Sequence, residues 1–252
     1  GLPSTGDQTA SGAPNVMSKL ASYFGRASYN FDERYMVQAT VRRDGSSRFG
    51  SNNHWAVFPS VSVGWNIMNE AFLEAQRPWL NNAKLRASWG KNGNENIGNF
   101  NYIALAASGN NYIFGKDGQI VNGTKPTQLA NPDLRWEESK QTDIGIDLGF
   151  LSNKFTFSLD YFIKDTEGML MTMSLPQYVG EAIPMGNVGS MRNSGVEMDF
   201  NYRQNFGDFS LRFNANVSYL RNKLIAYGNE QGWANCDSFQ GTGTITRAEN
   251  GL

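Results

Sequence analysis

Residues 155–163 read Phe-Thr-Phe-Ser-Leu-Asp-Tyr-Phe-Ile and show the clearest alternation of apolar and polar residues in the chain. Apolar side chains occupy positions 155, 157, 159, 161 and 163, whereas Thr156, Ser158 and Asp160 fall between them. Alternation with a period of two predicts a β-strand with one apolar face and one polar face. The run is longer than the usual globular strand of about 5–6 residues. It matches the roughly 9–11 residues with which a tilted strand crosses a bilayer.

The same alternation recurs along the chain and predicts eight long strands. We place them at residues 19–30, 34–43, 55–67, 82–91, 138–150, 154–164, 193–205 and 208–221. We expect their apolar faces to be free of charge, because a Lys or Arg that faces lipid at the bilayer midplane costs about 2–4 kcal/mol. The fold class predicted from these strands is all-β, an antiparallel transmembrane β-barrel segment.

The connections between these strands alternate in length. Short turns are predicted at residues 31–33, 151–153 and 204–207, and long links at 44–54, 91–137 and 165–192. Outer-membrane barrels have short periplasmic turns and long extracellular loops, so this parity assigns the two ends of the sheet. The link at residues 68–81 departs from the rule, since it should be periplasmic but has about fourteen residues and a predicted short helix.

Composition excludes several classes of protein. The 252 residues carry a net charge of −1, so no global field attracts nucleic acid. No stretch of 18 apolar residues predicts a transmembrane helix. The single cysteine, Cys236, excludes an internal disulfide framework. Two alternatives stay open: a soluble or surface-exposed β-rich module that binds glycans or acts as an adhesin, and a small structural barrel of eight strands.

Five stretches of the chain also resemble a known family. They are Lys-Leu-Arg-Ala-Ser-Trp-Gly-Lys-Asn-Gly-Asn at 84–94, Asn-Pro-Asp-Leu-Arg-Trp-Glu-Glu at 131–138, Gln-Thr-Asp-Ile-Gly-Ile-Asp at 141–147, the strand at 157–170, and Asn-Val-Gly-Ser-Met-Arg-Asn-Ser-Gly-Val-Glu at 187–197. In this order they resemble the SusC/RagA branch of the TonB-dependent outer-membrane transporters. The resemblance covers roughly residues 20–220, which is most of the chain.

The resemblance implies a fold, a location and partners. The chain would supply about eight strands of a barrel with about twenty-two strands in the outer membrane. We expect residues 1–252 to be a barrel piece that is rich in strands over 19–221, since no signal peptide, plug domain or TonB box is recognisable. The implied function is nutrient import, with a SusD-like surface lipoprotein, the TonB complex and outer-membrane lipid as partners. An oligosaccharide or a peptide would be the substrate, without any cofactor.

Candidate site residues fall into two groups. The long link at 91–137 is rich in amide and aromatic side chains, which suit the binding of sugars or peptides. Its substrate-binding candidates are Asn92, Asn94, Asn101, Tyr102, Asn111 and Tyr112. The polar faces carry charges that would line the lumen or hold a plug, unless neighbouring strands simply neutralise one another. They are Lys84, Arg86, Asp143, Asp147, Glu197, Asp199, Arg203 and Arg212.

No catalytic, cofactor or metal site is expected from the sequence. Glu197 and Asp199 share one face of a strand, but strand periodicity explains their spacing and no activated pair accompanies them. His54 is the only histidine, and it has neither a cysteine nor a carboxylate cluster beside it to complete a zinc site. We therefore do not expect an enzyme.

Overall fold

The computed structural model describes residues 17–114, 118–173, 184–228, 233–238, 244–249 and 251. Its strands are β1 (Leu20–Phe31), β2 (Tyr35–Ser46), β3 (Trp55–Asn66), β4 (Leu80–Asn94), β5 (Leu105–Phe114), β6 (Gln119–Gln128), β7 (Glu137–Phe150), β8 (Phe155–Thr172), β9 (Met185–Phe206), β10 (Phe209–Ala226), β11 (Trp233–Ser238) and β12 (Thr244–Glu249). Two short 3-10 helices, Ile67–Asn69 and Ala71–Gln76, connect β3 to β4. No helix in these ranges is long and apolar enough to cross a membrane.

Eight strands form one antiparallel sheet in the order β1-β2-β3-β4-β7-β8-β9-β10. They are the eight strands that the alternation predicts, so the prediction of an all-β antiparallel sheet is confirmed. Within the described part of the chain, β1 and β10 each have one neighbour only. The eight strands therefore form an open sheet and not the small closed barrel that the sequence left as an alternative.

The predicted long links contain more strand than expected. The link at 91–137 holds a separate hairpin, in which β5 pairs with β6, and β4 continues to Asn94. The link at 165–192 is largely strand, because β8 runs to Thr172 and β9 starts at Met185. Near the end of the chain, β11 pairs with β12 in a further small hairpin. Beyond the bilayer both faces of a strand meet water, so the backbone ladder continues while the alternation that reveals it disappears.

An apolar belt crosses one face of the whole sheet. The strand register aligns two neighbouring rows of side chains, each with one residue from every strand. The first row is Tyr29, Val37, Val63, Ala87, Ile144, Tyr161, Val196 and Tyr219, and the second is Phe31, Tyr35, Trp65, Leu85, Ile146, Leu159, Met198 and Val217. Many of these side chains are exposed, for example Val217 at 65% and Tyr219 at 70%. An exposed apolar belt without charge is the outward, lipid-facing surface of a membrane wall.

The prediction of a wholly charge-free outward face is wrong at its long-loop end. Lys140, Asp165 and Arg192 follow the belt on the same face of neighbouring strands. Arg192 forms a two-point contact with Asp165, at 2.6 and 2.8 Å. These strands extend past the apolar rows, so their charges lie at the level of headgroups and water, where the cost of a charge falls to about 0–1 kcal/mol.

Aromatic pairs lie at both ends of the outward face. At the short-turn end, Tyr35 stacks on Trp65 with ring centroids 6.4 Å apart, and Phe155 stacks on Tyr202 at 4.6 Å. At the long-loop end, Tyr23 stacks on Trp55 at 5.9 Å. Aromatic girdles at both interfaces are typical of outer-membrane barrels. The apolar belt therefore lies between two aromatic girdles, and the assignment of the short turns to the periplasmic side stays a prediction from the loop parity.

Candidate functional site

The polar face of the sheet carries a three-strand charge network. Arg86 on β4 donates two hydrogen bonds to Asp147 on β7, at 2.7 and 2.9 Å. Its Nη2 also lies 3.0 Å from the carboxylate of Asp160 on β8, on the far side of β7. Ser158 donates to the same Asp147 at 3.0 Å. One guanidinium therefore neutralises two carboxylates on two other strands.

A glycine makes this reach possible. Gly145 lies on β7 directly opposite both Arg86 and Asp160 in the register. A Cβ at this position would contact the Asp160 carboxylate and come within 3.0 Å of Arg86 Nη2. A glycine inside a strand commonly marks such a close approach.

We expect Gly145→Ala to separate Arg86 from Asp160 while leaving the Arg86–Asp147 pair in place. Arg86 and Asp160 are both partly exposed, so the loss of the ion pair between them should cost only about 1 kcal/mol or less. A double-mutant cycle measures this: in the Gly145→Ala background, Asp160→Asn should add no further loss of stability. Gly25→Ala is the matched control, because nothing lies within 4 Å of that Cβ. If Asp160→Asn lowers the stability of the Gly145→Ala variant as much as it lowers that of the unsubstituted protein, the expectation is contradicted.

The network borders a groove on the inward face that has both polar and apolar side chains in its lining. The groove has a volume of about 510 Å³, and its wall includes Ser28, Gln38, Ser62, Lys84, Asp143 and Asp160. Asp143 accepts hydrogen bonds from Ser88 at 3.1 Å and from Gln141 at 2.9 Å. Hydroxyl, amide and carboxylate groups of this kind suit a wetted lumen wall with many hydrogen-bonding positions.

Charged side chains on neighbouring strands neutralise one another at some inward positions and not at others. Arg86 is balanced by Asp147 and Asp160, as described above. In contrast, Glu197 lies directly opposite Asp160, and Arg203 lies directly opposite Arg212. Like charges placed directly opposite each other destabilise a sheet. The cations at positions 203 and 212, together with Lys154, line a second groove near the periplasmic end.

The extracellular loops are held by a small hydrophobic core of their own. This loop core consists of Phe49, Phe58, Ile97, Leu134 and Trp136, and Tyr102 packs against it. Phe49 and Leu134 are completely buried. The Phe49 and Trp136 rings lie 5.1 Å apart. The core therefore joins the β2–β3 loop to the segment before β7, which are distant in sequence.

One of the sequence stretches that carry the family resemblance supplies two residues of this loop core, and another holds the segment beside it. Leu134 and Trp136 come from the stretch at 131–138, and Trp136 Nε1 donates to the backbone carbonyl of His54 at 3.3 Å. Asn187, from the stretch at 187–197, accepts from the Arg135 amide at 2.9 Å and donates to the Arg135 carbonyl at 2.7 Å. The physical role of these motif residues is to fix the loops above the sheet.

We expect Asn187→Ala to loosen the segment before β7. The Asn187 side chain also donates to the Gly168 carbonyl at 2.8 Å, so the substitution removes three hydrogen bonds. The loss should cost about 0.5–1.5 kcal/mol, because the bond to the Gly168 carbonyl is partly buried, whereas the two bonds to Arg135 are exposed and water can replace them. Hydrogen exchange at the Arg135 amide measures the effect. Asn193→Ala on the same strand is the control, and equal exchange in both variants would refute the assignment.

The predicted substrate-binding residues fall in three separate places. Asn92 and Asn94 lie at the end of β4, where Asn92 lines a groove on the inward face and Asn94 donates to Glu137 at 3.2 Å. Asn101 and Tyr102 lie in the turns after β4, and Tyr102 is partly buried against the loop core. The remaining two candidates, Asn111 and Tyr112, lie on β5 in the separate hairpin. Sequence proximity grouped residues that the fold distributes over different surfaces.

Several elements of the site were missed by sequence reasoning. The reach of Arg86 across β7 depends on the register, although a glycine within a strand is a signal for it. The loop core was missed because Phe49 and Leu134 lie in segments without periodicity. In the ranges that the structure describes, no group of three or more His, Cys, Asp or Glu side chains is placed to hold a metal ion.

Comparisons with known proteins agree with this architecture. A family model described as TonB dependent receptor-like, beta-barrel matches residues 2–244. TonB-dependent receptor P39 of Formosa agariphila is 37% identical over 215 residues, which cover 85% of this chain and 20% of that protein. TonB-dependent receptor SusC of Bacteroides thetaiotaomicron is 34% identical over 221 residues, covering 86% and 22% of the two chains.

Solved structures give the same result. The RagAB peptide importer in its open-open state matches with a TM-score of 0.79 and 31% identity, over 93% of this chain and 24% of that chain. The siderophore receptor PirA of Acinetobacter baumannii shares the fold with a TM-score of 0.55 at 16% identity, over 86% of this chain and 29% of that chain. The chain spans about a fifth of the length of the curated relatives that it matches. It belongs to the TonB-dependent receptor-like β-barrel family, in the SusC/RagA branch, and forms part of the barrel wall of an outer-membrane protein.

Proposed function

We propose that this chain is the wall and loop region of an outer-membrane importer that takes up oligosaccharides or peptides in a TonB-dependent manner. The observation that carries the proposal is the two-faced sheet. Its outward belt is apolar across eight strands, and its inward face offers hydroxyl, amide and charged groups around a groove of about 510 Å³. A wall of this kind lets a polar solute pass a lipid bilayer without meeting lipid.

Peptides are the first substrate class to test. RagAB, which matches at 31% identity, is described as a peptide importer. The inward face fits a peptide or a sugar, because both present many hydrogen-bond donors and acceptors. The partners that we propose are a SusD-like surface lipoprotein on the extracellular side and the TonB complex on the periplasmic side.

The cations near the periplasmic end are proposed to hold a plug. Lys154, Arg203 and Arg212 line one groove, and no acidic residue contributes to its lining. An acidic surface of a plug domain would relieve the repulsion between Arg203 and Arg212. The same contact explains why cations face each other across β9 and β10 in this part of the chain.

Binding measurements on the complete transporter test the import proposal. We expect calorimetry in detergent to detect binding of peptides or oligosaccharides from a length-matched panel, and we expect Asn92→Ala and Asn111→Ala to weaken it. Asn205→Ala is the control, since it lies on β9 at the periplasmic end. A second measurement is uptake by cells that lack TonB activity. Uptake that continues without TonB activity contradicts TonB dependence, and binding of neither class contradicts the proposed substrates.

A further inference from the structure

The connection between β3 and β4 differs from the short turns at the same end of the sheet. This β3–β4 link, residues 67–79, folds back onto the outward face. Met68, Leu80 and Ala83 form a buried cluster, and Leu148 packs against it. Leu148 belongs to the outward face, because it lies opposite Phe157 in the register. The link therefore covers the lower edge of the lipid-facing surface.

A carboxylate fastens the link to the sheet. Glu70 accepts a hydrogen bond from Tyr35 Oη at 2.6 Å and another from Trp65 Nε1 at 3.0 Å. Both donors belong to the apolar belt, and Arg34 Nη1 lies 3.6 Å from the same carboxylate. The Tyr35 hydrogen bond, followed by that from Trp65, lowers the pKa of Glu70 below its usual value. The group therefore stays charged at neutral pH and keeps the link in place.

The surface that the link presents outward is apolar and aromatic. Phe72 is 64% exposed and Trp79 is 50% exposed. The Trp79 ring stacks on Phe150 at 6.0 Å with an interplanar angle of 9°. Phe150 pairs with Phe155, so the exposed rings continue the periplasmic aromatic girdle without a break.

We propose that the β3–β4 link is an interfacial segment that docks into the headgroup region of the periplasmic phospholipid leaflet, with Phe72 and Trp79 inserted. Continuity with the lipid-facing belt identifies phospholipid as the occupant. Amphipathic aromatic rings prefer the depth at which acyl chains meet headgroups. Glu74 and Arg77 are exposed and can remain in water beside the headgroups. The inference rests on the outer-membrane barrel and is independent of what the protein imports.

Depth-dependent fluorescence quenching tests this inference in the complete transporter, reconstituted in phospholipid vesicles. An environment-sensitive dye is attached at Phe72→Cys in a background with Cys236→Ser. The control label is at Asp208→Cys, because this turn lies at the same end of the sheet without folding onto the outward face. We expect a headgroup spin-labelled phospholipid to quench the dye at position 72 about twofold or more above that at 208, and aqueous iodide to show the reverse order.

Removal of the Glu70 carboxylate, which holds the β3–β4 link to the sheet, gives a second measurement. Glu70→Ala in the Phe72→Cys background should reduce quenching by the spin-labelled lipid and increase quenching by iodide. A label at Trp79→Cys repeats the measurement at an independent position, and the migration of unheated protein on a gel confirms a folded barrel. Equal behaviour of the labels at 72 and 208 overturns the proposal. Protection of position 72 from both quenchers also overturns it, because a protein surface then covers the link.

Discussion

Replacement of Phe49 by alanine is expected to destabilise the extracellular loops by about 3–5 kcal/mol, the usual cost of removing a fully buried aromatic side chain. Phe49 is completely buried and packs on Trp136. Its loss removes the central contact of the loop core and leaves a cavity that Leu134 and Phe58 cannot fill without moving. The eight-stranded sheet should persist, because its backbone ladder does not depend on this side chain.

Hydrogen exchange on the complete protein measures this effect. We expect the amides at 134 and 136 to exchange at least about a hundredfold faster in Phe49→Ala, since each 1.4 kcal/mol changes an equilibrium tenfold. Amides in the middle of β8 should be unaffected. Ile113→Ala in the β5–β6 hairpin is the matched control, because Ile113 is 64% exposed. If both variants exchange alike, the loop core does not hold these loops together.

The second large effect is expected for a charge in the apolar belt. Val217→Arg should lower the free energy of unfolding by about 2–4 kcal/mol, the cost of a cation that faces lipid near the midplane. Val217 is 65% exposed and lies opposite Met198, which lies opposite Leu159. Leu159 is the third of five apolar positions along the quoted strand, so Val217 lies in the middle of the belt.

The neighbouring residue supplies the control for this substitution. Asn216 is also exposed but points to the inward face, opposite Asp199. Asn216→Arg should cost little, because the new cation meets water and a carboxylate. Guanidinium unfolding of the complete transporter in vesicles, together with the amount of folded protein in the outer membrane, compares the two variants. An equal or greater cost for Asn216→Arg would reverse our assignment of the two faces.

The sequence predicted the main sheet well because the signal for it is local. Eight strands, their faces and the parity of their connections follow from alternation within each segment. The hairpin of β5 and β6, the part of β8 after residue 164 and the part of β9 before residue 193 were missed, because apolar and polar residues do not alternate regularly there; Met169, Leu170 and Met171, for example, are consecutive. The six substrate-binding candidates stay predictions, and the fold separates them into three groups.

The contacts of the charge network depend on the register between strands as well as on the local sequence. The sequence places Arg86 and Asp147 on inward faces, but only the register puts Gly145 opposite both Arg86 and Asp160. Register between strands that are far apart in the chain is set by their pairing and not by either sequence segment alone. The same reason explains why Glu70 could not be assigned to Tyr35 and Trp65 in advance.

The amino-acid pattern alone shows that residues 155–163 and seven similar stretches form long two-faced strands, because alternation with a period of two places apolar and polar side chains on opposite faces, and the family resemblance adds that these strands belong to a membrane wall. Three features became visible only in three dimensions: the described strands form an open sheet, loop residues build a core of their own, and the β3–β4 link folds onto the lipid-facing side. Each of these features depends on contacts between segments that are distant in the chain, and such contacts leave no period in the sequence.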